Sequence, residues 1–462
     1  MTVNGDLTAN AATDFGTHTV TLGGDFTATA TVDAADATVI YNGADQAVAD
    51  LVYGNLTLTG SGNKAISGDL TVNNDLTVSG TAAVDFGTNT VTLGGTFTVS
   101  GGTVDAADAT VNYNGADQTV AALTYGTLTL SGSGTKTATD VTVNMALNVN
   151  RGVALNAANI SGTSAIVNKG TMTVSGATTA ASLTNNSTVE TGSLVLTGTL
   201  TNNGTLSINS TGSSWSVQTI GGTVNFNGTS DSVVASSYNT LNLNGSAKSA
   251  SGAISAVKLT NNTTFTANDT LSVTDTLTNK GTLNANSALT AATVTNSGTL
   301  TLNAAGSSWT AQTIGGTVNF NGTSDSVIAS TYNKLNLNGS AKTLAGDVTV
   351  TTLTANADVD FGSNKVDLKG AFTIGSGVTV TASSADVTYS QTTDGQTIAA
   401  LTYGNLTLTG GTKTLAGNVT VNGDIEAEAV TDFDTHTVRL SKIKGLRLIT
   451  FVCAREWSLM DG

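Results

Sequence analysis

A chain of 462 residues with no proline, 52 glycines and only 11% charged side chains excludes a helix-rich fold, and 39% apolar residues, most of them small, exclude a wide globular core. The net charge of −15 is uneven, with 12 basic and 30 acidic side chains in residues 1–438 but 5 and 2 in residues 439–462. Without a clustered basic face the body is set aside as a nucleic-acid or acidic-glycan binder, and the single cysteine, Cys453, leaves the repeats free of disulfides.

Taken in order, the chain opens on MTVNGDLTAN, which has neither the basic start nor the apolar run of a secretory signal. Thr2–Leu7 matches Thr71–Leu76 and Thr420–Ile425, so the frame is expected to begin inside a repeat and to be a fragment of a longer protein. TDFGTHTVTLGG (13–24) returns as VDFGTNTVTLGG (84–95), and VDAADATV (32–39) returns at 104–111, a 72-residue duplication covering 13–64 and 84–136. A second duplication, offset by 94, relates 212–248 to 306–342, and a further copy occupies 387–440.

One unit sets the register for the rest: VNYNGADQTVAALTYGTLTLSGSGTK, Val111 to Lys136. Its variants run from Val39 to Lys64, Val224 to Lys248, Val318 to Lys342 and Val387 to Lys413. Each has an aliphatic residue, an aromatic, a polar residue before Val or Ile, a Tyr, alternating Leu, a Gly-rich turn and a Lys. By period 2, Val111, Tyr113, Leu128 and Leu130 face the core while Thr127 and Thr129 face out. Val39, Leu56 and Leu58 are the inward set of the first copy. Between these units, Asn168, Asn202, Asn279 and Asn296 each open an Asn-x-Gly segment, read as a turn with left-handed backbone.

Short alternating strands at regular spacing predict an all-β parallel β-helix, a solenoid in which each strand pairs with its equivalent one coil away. If a coil takes about 24 residues, the two duplications are three and about four coils. The body, 1–440, then holds about 19 coils in a rod on the order of 90 Å long. Each well-buried aliphatic contributes roughly 1.5–3 kcal/mol, and outward Thr keeps the strand propensity high. A row of small β-sandwiches is the runner-up, disfavoured by the lack of large apolar side chains.

The succession DFGTNTVTLGGTFTVSGGT, VNYNGADQTV, LTYGNLTL and LAGNVTVNGDI resembles the β-strand-repeat regions of large bacterial surface proteins, similar to filamentous haemagglutinins and autotransporter passengers, over nearly all of residues 1–438. The resemblance implies an adhesin-like, secreted or cell-surface rod. Its partners would be glycans or proteins on host or neighbouring cells, with no cofactor and with membrane anchoring encoded elsewhere.

No catalytic, cofactor-binding or metal-binding residue is assigned. Asp33 with Asp36 and Asp105 with Asp108 have a spacing that suits Ca²⁺ or paired acid–base work, but a solvated turn is the preferred reading. His18 and His436 share one repeat position, and a metal site would need two distant coils to meet. The lysines Lys64, Lys136, Lys248, Lys342 and Lys413 are read as solvated turn positions rather than a ligand row. Tyr41, Tyr113, Phe226 and Phe320, each followed by Asn-Gly, with Trp215 and Trp309, are read as core or cap side chains rather than sugar-stacking platforms. A polysaccharide hydrolase or lyase on the same fold is the enzymatic alternative, weakened by two His and one early Arg. Thr27–Thr31 invites an ice-binding reading, against which uneven coil lengths are expected to spoil the Thr register.

After Leu440 the pattern breaks into SKIKGLRLITFVCAREWSLMDG. Residues 441–462 are expected to lie outside the repeat fold as out-of-frame translation. A juxtamembrane anchor is the rival, and LRLITFVCA is far shorter than the roughly 20 apolar residues a bilayer span requires.

Overall fold

The computed structural model describes residues 1–441, 446–448, 451–452 and 458–459. Among the described residues the chain is an all-β parallel solenoid of about 24 turns with no helix. It divides into two compact units, Met1–Thr229 and Ser230–Gly462.

In the first unit a coil is three short strands joined by tight turns, as in Leu70–Val72, Leu76–Val78 and Ala83–Asp85, followed by Thr90–Leu93, Phe97–Val99 and Thr103–Tyr113. Alternation sends every second side chain inward, and parallel pairing stacks these into columns. One column runs Ala34, Tyr53, Val72, Leu93, Tyr113, Leu130, Val149 and then Asn168, Asn185 and Asn202. Val39, Leu56, Leu58, Val111, Leu128 and Leu130 are all fully buried, as the period-2 reading requires, and Thr127 and Thr129 face outward, half-buried. In the second unit Ala267, Ala285, Leu302, Phe320, Leu337 and Ala355 form an equivalent column.

The coil is shorter than the expected 24 residues. Stacked partners lie between 16 residues apart, at Thr178 and Leu194, and 21, at Leu76 and Phe97. The 72-residue duplication is therefore not three coils. Tyr41 stacks on Leu22 and is followed by Leu58, Val78 and Val99, whereas its copy Tyr113 follows Tyr53, Val72 and Leu93. Three coils carry Tyr41 to Val99, and the copy comes 14 residues later, on a different face. The duplicated sequence is thus rotated about the solenoid axis from one copy to the next.

The Asn-x-Gly segments also differ from expectation. Among the described residues no asparagine has positive φ, and Gly170, Gly204, Gly281 and Gly298 do not either. The glycine is required by close approach: a Cβ on Gly204 would lie 1.8 Å from Ser187 O, and on Gly281 1.9 Å from Thr263 O. The asparagines point inward as amide ladders. Asn168 donates to Asn185 at 2.9 Å and Asn185 to Asn202 at 2.8 Å, while Asn261, Asn279 and Asn296 repeat this at 2.8 and 2.7 Å. Within each ladder an amide donates to the next one coil on, while Asn168 Oδ1, at the head of its ladder, is buried without a partner.

Leu446–Leu448, Phe451–Val452 and Ser458–Leu459 pair in parallel with strands of the preceding coil. Apart from Ser441, the rest of the expected aberrant tail, Cys453 included, lies outside the described residues.

Candidate functional site

The recurrent unit folds into an internal brace. In its first copy Ala49 N donates to Tyr41 Oη at 3.1 Å, Tyr53 Oη donates to Ala49 O at 2.6 Å, and the two hydroxyls lie 3.2 Å apart, closing a ring of hydrogen bonds around one residue. Tyr113 and Tyr125 do the same with Ala121, and Tyr389 and Tyr403 with Ala399. Where Phe320 replaces the first Tyr, Tyr332 still donates to Ile328 O at 2.6 Å, and Trp309 packs on Phe320 with ring centroids 6.3 Å apart. All of these rings are buried, as are Trp215 and Phe226, so the aromatics are core side chains with their polar atoms satisfied. Burial raises the Tyr113 and Tyr389 hydroxyls to about 12 and pushes the remaining tyrosines above their ordinary value as well.

The lysine series is a correction. Lys64, Lys136, Lys248, Lys342 and Lys413 are between 0 and 3% exposed. Lys64 Nζ donates to Gly43 O, Ala44 O and Ser61 O at 2.8, 2.6 and 2.8 Å, and Lys136 Nζ to Gly115 O, Ala116 O and Ser133 O at 2.7, 2.5 and 3.2 Å. The ammonium thus ties a Gly-rich turn to the turn one coil below. The sequence showed a cation beside glycines, which is ordinarily solvated, and concealed the carbonyls because they come from about 20 positions earlier. Burial lowers the pKa of Lys64, Lys136, Lys342 and Lys413, opposed by the nearby aspartates.

Under each lysine lies the polar residue of the same unit. Gln118, stacked beneath Lys136, donates to Leu93 O and Gly95 O at 2.9 and 2.6 Å and accepts from Gly115 N at 2.9 Å. Gln46 and Gln396 make equivalent bonds. In the Phe-bearing units an aspartate takes this place: Lys248 Nζ lies 3.4 Å from Asp231 Oδ2, and Lys342 Nζ 3.8 Å from Asp325 Oδ2, both pairs buried. Desolvation raises the Asp325 carboxyl against the pull of Lys342.

The other candidates remain at the surface. Asp33 and Asp105 are exposed and each caps its own corner, accepting from Ala35 N at 3.1 Å and Ala107 N at 3.0 Å, with Asp36 and Asp108 exposed beside them. His18 is exposed and His436 half-buried, each at a turn closed by its backbone N–H to Phe15 O or Phe433 O. Among the described residues no group of three or more His, Cys, Asp or Glu is placed to hold a metal ion. The Thr register survives locally: Thr264, Thr282, Thr299 and Thr317 stack in step, flanked by Thr266, Asn284, Thr301 and Asn319, and it is Asn284, Asn319 and then Lys334 that interrupt the hydroxyl array.

Two of the open grooves among the described residues carry cationic side chains beside other polar groups. One, of 590 Å³ in the second unit, is lined by Asp347, Lys365, Asp367, Asp386, Ser390 and Asn405 among others. Its carboxylates have local partners, Asp347 with Lys365 N at 2.8 Å, Asp367 with Ser390 Oγ, and Asp386 with Asn405 Nδ2 at 2.5 Å. The other, of 540 Å³ in the first unit, is bordered by Arg151 and Lys169. Comparison with known proteins finds no match to the chain among family models, curated proteins or solved structures.

Proposed function

We propose that this solenoid is a non-enzymatic structural and adhesive body, displayed outside a bacterial cell or secreted, whose outer surface engages glycans or proteins of host or neighbouring cells. The observation that carries this reading is the orientation of the recurrent unit. Its tyrosines, lysines and Gln or Asp residues, the side chains richest in chemistry, are turned inward and committed to holding one coil on the next. The outer positions are mostly short hydroxyls, amides and scattered carboxylates, which give a hydrated contact surface, and only two histidines are present to act as bases near neutral pH. Purified protein titrated against a panel of cell surfaces and polysaccharides should bind without consuming any of them. Multiple turnover on one glycan would sink this reading.

A carbohydrate-active reading draws on the groove at Asp367 and Asp386, where carboxylates, a lysine and hydroxyls share one open face. It requires hydrolysis that is abolished by Asp386→Asn or Asp367→Asn, since inverting hydrolysis rests on two carboxyl groups alone.

A further inference from the structure

We propose that the corner built by Arg151 and Lys169 binds a single carboxylate carried on an otherwise neutral saccharide chain. The site goes beyond the display reading and does not depend on it. Residues 1–229 contain four cationic side chains against fifteen acidic ones. Two of the four, Lys64 and Lys136, are buried beneath turn carbonyls. The two that face solvent, Arg151 and Lys169, fall on consecutive coils at one corner. Val149 pairs with Asn168 and Ala154 with Thr171, and Lys169 N donates to Val149 O at 2.8 Å. Gly170 makes this stacking possible, because a Cβ there would meet Val153 O at 2.2 Å and Asn150 O at 2.5 Å. The turn carrying Lys169 therefore sits on the turn carrying Arg151, one strand spacing of about 4.8 Å away.

Like charges side by side on adjacent strands repel. Neither cation is neutralised: the three ion pairs among the described residues are Lys248–Asp231, Lys258–Asp275 and Lys342–Asp325. Asp117 Oδ1 accepts from Thr135 N and Glu190 Oε1 from Asn209 Nδ2, each at 2.7 Å, and neither carboxylate forms an ion pair with Arg151 or Lys169. An anion at this corner would relieve the repulsion, with the guanidinium fork gripping a carboxylate in two bonds and the ammonium adding a point charge. The adjoining groove offers the hydroxyls of Thr135, Thr171 and Ser187 and the amide of Asn186, a set suited to sugar hydroxyls. The acidic excess of the surrounding body disfavours densely charged polyanions such as nucleic acids, leaving a sparsely charged saccharide as the fitting class. This narrows the expectation from composition, which set acidic glycans aside for want of a wide basic face.

The test is calorimetric titration of the whole chain at low salt. The probes are a glucuronate-bearing xylo-oligosaccharide, its neutral counterpart and inorganic sulfate. The acidic oligosaccharide should bind, and Arg151→Gln and Lys169→Gln should each weaken it about tenfold or more. Lys280→Gln should leave binding unchanged, because Lys280 heads the same Asn-Lys-Gly turn with Asn262 and Ser297, not a second cation, at the flanking turns. Circular dichroism of the three variants should match the parent, since all three side chains are exposed. Absence of binding, equal binding by the neutral oligosaccharide, equal affinity for sulfate alone, or insensitivity to both substitutions would each overturn the proposal.

Discussion

Tyr113 and Tyr125 meet inside the coil with hydroxyls 3.1 Å apart and rings nearly perpendicular, at 79°. Burial holds the Tyr113 proton to about pH 12, and the pKa of Tyr125 is also raised well above the ordinary 10.0. An unfolded chain ionises its tyrosines near 10, so the stability contributed by keeping them neutral is complete below that pH and is lost as pH rises from about 10 through about 12. All eight tyrosines are buried. Tyrosinate absorbance should therefore stay low past pH 10 and appear together with loss of β-structure by circular dichroism. Titration of most tyrosines near pH 10 with the fold intact would contradict the closed hydroxyl rings.

Replacing Lys136 by Met removes the donor shared by Gly115 O, Ala116 O and Ser133 O. Leaving buried carbonyls without it should cost about 1–3 kcal/mol. Because a solenoid is stabilised coil by coil, the loss should show as faster hydrogen exchange in the coils around 115–136. Lys334→Met, at an exposed outward position, should leave exchange unchanged.

At Asp325 and Lys342 a buried ion pair replaces the amide arrangement of Gln118 and Lys136. Lys342→Met alone strands a carboxylate and should cost about 3–5 kcal/mol, whereas Asp325→Leu combined with Lys342→Met should recover part of it, the donors to Gly322 O and Ser340 O still being lost. Urea midpoints of the two single variants and the double variant give the coupling. Additive losses would show that the pair does not interact.

Leu128 is fully buried and Thr129, its neighbour, faces outward. Leu128→Asp should destabilise its own and adjacent coils by several kcal/mol, since the carboxylate has no partner there. Thr129→Asp should change the urea midpoint little. Equal sensitivity at the two positions would refute the register.

Local alternation was readable because a strand's side-chain period is 2 whatever its partner, which is why Val39, Leu56 and Leu128 could be placed inward from sequence. Coil length was not readable in the same way. The 72-residue duplication marks repeated sequence, while stacking is decided by corner lengths that vary from coil to coil, so Tyr41 and Tyr113 share a motif yet occupy different columns. The buried lysines were missed for a related reason. Lys64 is held by Gly43 and Ala44, residues adjacent to it only after the chain has completed a turn. Likewise, Asn168 and Asn185 look like turn formers in a linear reading and become an amide ladder once stacked.

The central claim, that the recurrent unit points its cations into the solenoid and presents no ligand row, is tested most directly by acylating the native protein and mapping the modified lysines by mass spectrometry. Lys169, Lys258, Lys280, Lys334, Lys365 and Lys369 are exposed and should react. Lys64, Lys136, Lys248, Lys342 and Lys413 should remain unmodified until the chain is denatured. Modification of these five in the folded protein at the rate of Lys169 would contradict it.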